Sequence, residues 1–388
     1  MRMNKLPASE YGRRVKKLQE ELVKRGIDVF ISYSSESESA SSRYLTGFWP
    51  FFDFASIVVP AKGSAVLVTG GPESYDFAEK FSTVPGIMIN PLLVESSAPE
   101  WVPEVSGVGF DQILQEVCGT APKVIGISDW NIFPHVLLED IKKGAPGAEY
   151  VPADDIFTFV KAVKDDIELP YIERVYQITE EAMKTALDAA KPGMREYELE
   201  SIARRKMLEL GAEGMPYPAW VCSGPNTPLS LCRSSDRVTQ QGDLVQFTFG
   251  TKYMGYCGNM CRPFFFGDIP AQAGRLMEAA LEATEYAIKT IKPGIKACDV
   301  FDGYYSILSR YGYQEFTLYG PAHGTGHSEV EGLWLSKGED FVIQPNMLFN
   351  IDIWLTDGTY GMRYEEGILT TQDGVKELNS YRREQISL

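Results

Sequence analysis

The chain has 388 residues, is 44% hydrophobic and carries a formal net charge of -16, enough apolar material for about two buried cores. No run of Lys or Arg offsets that acidity, which excludes nucleic acid and an anionic membrane surface as expected partners. No apolar run approaches the roughly 18 residues of a membrane span, and Met1 to Lys5 lead into the helical pattern Val15, Leu18, Leu22, Val23 and not into an apolar signal core, so a cytoplasmic location is expected.

In chain order, Ser9 to Arg25 reads as an amphipathic helix stopped by Gly26, and Ile27 to Ile31 as a short buried strand. Tyr33 to Arg43, rich in Ser and Glu, is expected to be loop. The segment Phe48-Trp49-Pro50-Phe51-Phe52-Asp53-Phe54 surrounds one carboxylate with aromatic faces, a setting that suits an alkylammonium or guanidinium group if it is not simply a packed cluster with Asp53 capping a turn. Ser56 to Pro60 and Ala65 to Val68 are strands around a turn at Lys62-Gly63, Lys123 to Ile127 is another, and a helix is expected near Leu137 to Lys143. These elements predict an α/β domain over residues 1–160.

From Asp165 to Ala190 the pattern is nearly continuous helix. A repeat follows: Glu181 to Leu199, containing Lys191-Pro192-Gly193-Met194, resembles Leu281 to Val300, containing Lys292-Pro293-Gly294-Ile295. Two helical hairpins about a hundred residues apart, each leading into strands, predict an α+β domain over residues 161–388 with a pseudo-twofold repeat and a pocket between its halves. The six cysteines, Cys118, Cys222, Cys232, Cys257, Cys261 and Cys298, lack Cys-x-x-Cys spacing and read as reduced thiols.

The chemistry-bearing residues lie late in the chain. Ala322-His323-Gly324-Thr325-Gly326-His327 precedes Asn350-Ile351-Asp352 and Gly361-Met362-Arg363-Tyr364-Glu365-Glu366, in the order His, acid, acid of a metallohydrolase. Glu365 and Glu366 are strand neighbours and face opposite ways, so one serves a site. Upstream lie Ser223-Gly224-Pro225-Asn226-Thr227, Asp236-Arg237-Val238, Gly242-Asp243-Leu244-Val245 and Arg262-Pro263-Phe264. In their order and spacing these motifs resemble the pita-bread fold shared by methionine aminopeptidase, prolidase, aminopeptidase P and creatinase, and the first domain is similar to the creatinase and prolidase version.

The resemblance implies a two-ion site of two Asp, one His and two Glu, falling here on Thr248, Asn259, His323, Asp352 and Glu365. Only two of the four carboxylates remain, too few for two divalent ions. A single ion on Asn259, His323, Asp352 and Glu365 stays chemically open. The family's two further histidines fall on Leu231 and Val330, and the acid that creatinase carries just before Arg-x-Phe falls on Cys261. The resemblance therefore implies a creatinase-like, homodimeric hydrolase that cleaves a non-peptide C-N bond of a small charged substrate, without metal or other cofactor. His323, Asp352, Glu365, Glu331 and Cys261 are the candidate catalytic residues, with Cys261 as a thiolate nucleophile or a small buried apolar residue. Trp49, Phe51, Asp53, His327, Trp334 and Arg363 are the candidate substrate contacts, and the first domain is expected to reach the partner's site. An Xaa-Pro peptidase with one metal ion, a lyase on the same scaffold and a non-catalytic binding protein are the alternatives.

Overall fold

The computed structural model describes residues 6–95 and 106–388, in two compact units, Met1–Lys161 and Ala162–Leu388. The first unit runs α1 (Ala8–Arg25), β1 (Val29–Ile31), α2 (Ala40–Thr46), β2 (Ala55–Pro60), β3 (Val66–Thr69), α3 (Pro72–Phe81), β4 (Gly86–Ile89), α4 (Phe110–Cys118), β5 (Val124–Ile127), α5 (His135–Gly144), β6 (Glu149–Pro152) and α6 (Asp154–Ala162). Its mixed sheet has the order β4-β3-β2-β1-β5-β6. Neighbouring residues of β1 leave on opposite sides, Phe30 into one apolar cluster and Val29 with Ile31 into the other. That arrangement demands apolar residues at successive positions and accounts for the short, unbroken hydrophobic runs. The expected loop at Tyr33 to Arg43 is helical from Ala40 onward, because Ser41 and Ser42 are buried and bonded to the Tyr33 carbonyl and to Ser34.

The second unit runs α7 (Leu169–Ala189), α8 (Glu196–Glu209), β7 (Trp220–Ser223), β8 (Leu244–Tyr253), β9 (Tyr256–Phe265), α9 (Ala271–Thr290), α10 (Ala297–Tyr311), β10 (Ala322–Gly324), β11 (Leu348–Thr356), β12 (Gly361–Thr370), β13 (Val375–Glu377) and β14 (Ile386–Ser387). Its main sheet has the order β7-β8-β9-β12-β11-β10. Each half is a helix pair, a short strand and a hairpin, and the two hairpins meet in the middle, so the strand order reads as a palindrome. This is the pita-bread architecture, repeat included.

The helices cover one face of this sheet. Phe247, Phe249, Met260 and Phe264 pack with α7 and α8, while Phe349, Ile351, Ile353, Met362 and Tyr364 pack with α9 and α10. Strand geometry sends the alternate residues to the opposite face. Those residues are polar: Gln246, Thr248, Asn259, Cys261, Asn350, Asp352, Arg363 and Glu365. All are buried. No helix among the described residues is long and apolar enough to cross a membrane.

Candidate active site

Register turns that polar face into a row. Thr248 pairs with Cys261 across β8 and β9, Cys261 with Glu365 across β9 and β12, and Glu365 with Asp352 across β12 and β11. Cross-strand partners hold their Cβ atoms about 5 Å apart, so four consecutive strands contribute one functional side chain each. Glu366, next along β12, points to the helix-covered face, where its carboxylate lies 2.7 Å from the buried Arg262 guanidinium.

Glu365 is held from both sides. Cys261 Sγ donates to Oε2 at 2.9 Å and Asn350 Nδ2 to Oε1 at 3.0 Å, and Tyr176 in turn donates to Asn350 Oδ1. Burial, with the Asp352 and Glu329 carboxylates nearby, pushes the Glu365 carboxyl well above the usual carboxylate range, against the pull of Arg363. The same burial, with Glu365 beside it, raises the Cys261 thiol well above its ordinary value. The geometry places Cys261 as a small buried hydrogen-bond donor to Glu365, the second of its two expected roles. Asp352 is anchored through Oδ2, which accepts from Arg363 Nη1 at 3.1 Å, while its Oδ1 is buried without a hydrogen-bond partner. Arg363 also donates to the Ser230 carbonyl at 3.1 Å and lies 5.2 Å from the Tyr319 ring centre.

His323 enters from β10 at the edge. Its Nδ1 lies 3.0 Å from the Gly324 carbonyl oxygen, which fixes the proton there and turns the Nε2 lone pair toward the site. Beyond Gly324 the chain doubles back: Glu331 N donates to Gly324 O, Gly324 N to Gly332 O, and Leu335 N to Ala322 O. The turn of this arm carries Glu329, whose Oε1 lies 3.7 Å from His323 Nε2 and accepts from Asn259 Nδ2 at 3.2 Å. Ligating atoms of His323, Glu329 and Glu365 all lie within 4.8 Å of one another. Partial burial pushes the Glu329 carboxyl up. Glu329 escaped the sequence reading because it falls between the family positions on His323 and Glu331. Its signal is an acid in a glycine-rich return loop, which spacing alone does not orient.

The remaining candidates are placed as follows. Glu331 forms a buried ion pair with Lys164 at 2.9 Å and accepts from His327 N at 2.7 Å. Gly326 is required there, since a Cβ on it would stand 2.5 Å from Glu331 Oε2 and 2.7 Å from Lys164 Nζ. The His327 ring packs edge-on against Tyr256 at 4.5 Å. Trp334 lies 5.1 Å from the His323 ring and stacks with Tyr319 at 6.2 Å, forming an aromatic wall beside the histidine. Leu231 and Val330 are exposed and bring no proton-transfer group. In the first unit, Asp53 is occupied by Gly71 N, Ser74 Oγ and Glu95 N, so its carboxylate caps turns and is not open to a cationic group. Trp49 donates to the Glu36 carbonyl and has the Arg43 guanidinium over its ring. Phe51 is exposed, its ring against that of Phe52.

A palindromic sheet with helices on one face and a row of buried ionisable groups on the other defines a hydrolase scaffold of the pita-bread class. Residues 170–372, more than half of the chain, match the model of metallopeptidase family M24, and the chain belongs to that family. Residues 14–161 match the creatinase/prolidase N-terminal domain. The chain is similar to the Xaa-Pro dipeptidase of Pyrococcus horikoshii, 28% identical over 68% of this chain and 75% of that one, and to the Xaa-Pro dipeptidase of Pyrococcus furiosus, 26% identical over 73% and 80%. The solved prolidase from P. horikoshii superimposes with a TM-score of 0.82 over 96% of this chain and 100% of its own, at 24% identity. The Xaa-Pro dipeptidase from Bacillus anthracis gives 0.82 over 97% and 100%, at 21%.

These relationships overturn the expected creatinase-like branch and, with it, metal-independent cleavage of a non-peptide C-N bond. The relatives are dipeptidases, and the family is one of metallopeptidases. The physical reason for the error is Glu329: counting the carboxylates lost at Thr248 and Asn259 left out one that the fold brings in from another segment. The two-ion set still does not fit these residues, since two of its anionic ligands are neutral and Asp352 is committed to Arg363. One divalent ion fits the donors present. On the same face Asn259 Oδ1 is a buried acceptor without a partner, a deficit that a protein interior rarely tolerates.

Proposed function

We propose that the protein hydrolyses the amide bond of small dipeptide-like substrates of the Xaa-Pro type, using one divalent ion. The observation that carries this reading is the convergence of His323, Glu329 and Glu365 within 4.8 Å, on the polar face of a metallopeptidase-family sheet. The dipeptidase relatives supply the substrate class. His323, Glu329 and Glu365 would hold such an ion, which would supply Lewis-acid polarisation of the amide carbonyl and acidification of water.

The chain's own groups do the rest. Asp352, steadied by Arg363 through one oxygen, leaves the other free to take a proton from the attacking water and return it to the departing nitrogen. The stacked Tyr319 and Trp334 rings beside His323 offer a flat apolar face for a proline ring. With Leu231 and Val330 at the former histidine positions, proton transfer rests on Asp352 alone. The chain acts as a homodimer in which the exposed Phe51 and its neighbours reach the partner's site, a reading that rests on the family resemblance and is checked by light scattering.

The test is direct. Full-length protein with Mn²⁺, Co²⁺ or Zn²⁺ is incubated with Xaa-Pro and Xaa-Ala dipeptides, and the amino acids released are quantified. Release from Xaa-Pro, and its loss in Asp352→Asn, supports the proposal. No release from any dipeptide with any of the three metals refutes it.

A further inference from the structure

Three features of the polar face are explained together by one arrangement. First, the carboxylates not already paired with a cation are Glu329 and Glu365, since Asp352 is bound by Arg363 at 3.1 Å. Two negative charges balance one divalent ion and no more. Second, His323 presents Nε2 toward Glu329, with Nδ1 fixed on Gly324 O, which is how a ligating imidazole is held by its other nitrogen. Third, the wholly buried Asn259 amide touches Glu329 through Nδ2 while its Oδ1 lacks a partner. A half-turn about χ2 exchanges the two atoms and directs the carbonyl oxygen at the cluster.

From these we infer that the protein carries a rebuilt mononuclear site, in which His323, Glu329 and Glu365 are the ligands, the Asn259 amide oxygen is a neutral fourth, and Glu329 supplies one of the two negative charges lost at positions 248 and 259. Imidazole with carboxylate oxygens suits a first-row transition ion such as Zn²⁺, Mn²⁺ or Co²⁺ over Mg²⁺ or Ca²⁺. The site rests on the proposed one-ion reading and deepens it by assigning a ligand that lies outside the family's set. Asp352, bound to Arg363, is left out of the coordination.

The experiment reads binding, not turnover. Full-length metal-free protein is titrated with Co²⁺, following heat and the visible absorption of the bound ion. Wild type takes up one ion per chain, with a spectrum of low coordination number. Glu329→Gln lowers the affinity by at least about 100-fold, and Glu329→Asp retains one ion at reduced affinity. Asp352→Asn leaves stoichiometry and spectrum unchanged. Because Glu329 is partly exposed, its isosteric amide is expected to fold, and circular dichroism checks this. A second pair of variants keeps the idea exposed: Thr248→Asp with Asn259→Asp raises the uptake to two ions per chain. Two ions in wild type, no ion in wild type, or Glu329→Gln binding like wild type each overturns the assignment. Loss of peptidase activity with one Co²⁺ still bound refutes the proposed substrate and leaves this site standing.

Discussion

Arg363 is the buried cation that makes the row of acids tolerable, and its removal tests the electrostatic logic of the site. Its Nη1 lies 3.1 Å from Asp352 Oδ2, its Nη2 holds the Ser230 carbonyl, and both members of the ion pair are buried. Arg363→Met keeps the length and removes the charge, leaving Asp352 uncompensated beside Glu365. Breaking a buried pair from one side costs about 3–5 kcal/mol, and the lost contact with Tyr319 adds about 1 kcal/mol. For a unit of this size each kcal/mol lowers Tm by about 2–4 °C, so calorimetry should show the transition of the second unit falling by roughly 8–24 °C. Adding Asp352→Asn removes the stranded charge and should restore about half of the loss, a coupling above about 1.5 kcal/mol in the double-mutant cycle. A single-variant loss below about 1 kcal/mol, or strict additivity, would refute the argument.

Three further outcomes are expected. Glu331→Gln removes one charge of the buried 2.9 Å ion pair with Lys164 and should cost about 1–3 kcal/mol in urea denaturation, while turnover of the folded fraction changes less than about threefold; wild-type stability with abolished turnover would instead make Glu331 catalytic. Gly367→Ala places a Cβ 2.1 Å from Tyr176 Cε1, so the ring must move and the Tyr176-Asn350-Glu365 chain must break, at about 3 kcal/mol; an unchanged Tm disproves it. In the first unit, burial raises the Asp129 carboxyl to about 7. Its folded form binds a proton that the unfolded chain has released, so stability falls as pH rises from about 4 to about 7 and the penalty is complete above that. Asp129→Asn removes the penalty and suits the positive φ of 62°. Allowing for partial exposure, it should stabilise the unit by about 2 kcal/mol at pH 8 and by little at pH 4; equal gains at both pH values would sink the explanation.

The architecture was legible because its signals are periodic. The repeated helical hairpins announce a doubled domain, and adjacency alone separates Glu365 from Glu366 on a strand. Helix α2 was not legible: Ser and Glu favour loops unless buried partners satisfy them, and the bonds from Ser34 and Tyr33 that do so depend on the folded sheet. Glu329 was missed for a related reason. Its position is set by the return of the Gly324 to Leu335 arm along β10, a tertiary event with no sequence period. For the aromatic segment around Asp53 two readings stayed open, a cation setting and a turn-capping carboxylate, because composition does not reveal that three donors already occupy the carboxylate.

The palindromic sheet also bears on how the site comes into being. Cys261 and Glu365 meet at the single β9-β12 register pair and are separated by 104 positions in the chain. Each helix-hairpin half can form from contacts among near neighbours, but the row of acids closes only when the halves dock, after the entropic cost of a long loop has been met. Formation of the site is therefore expected late in folding, and a cation that bridges β10, β12 and the returning arm would act as a clasp on that last step, slowing unfolding more than it speeds folding.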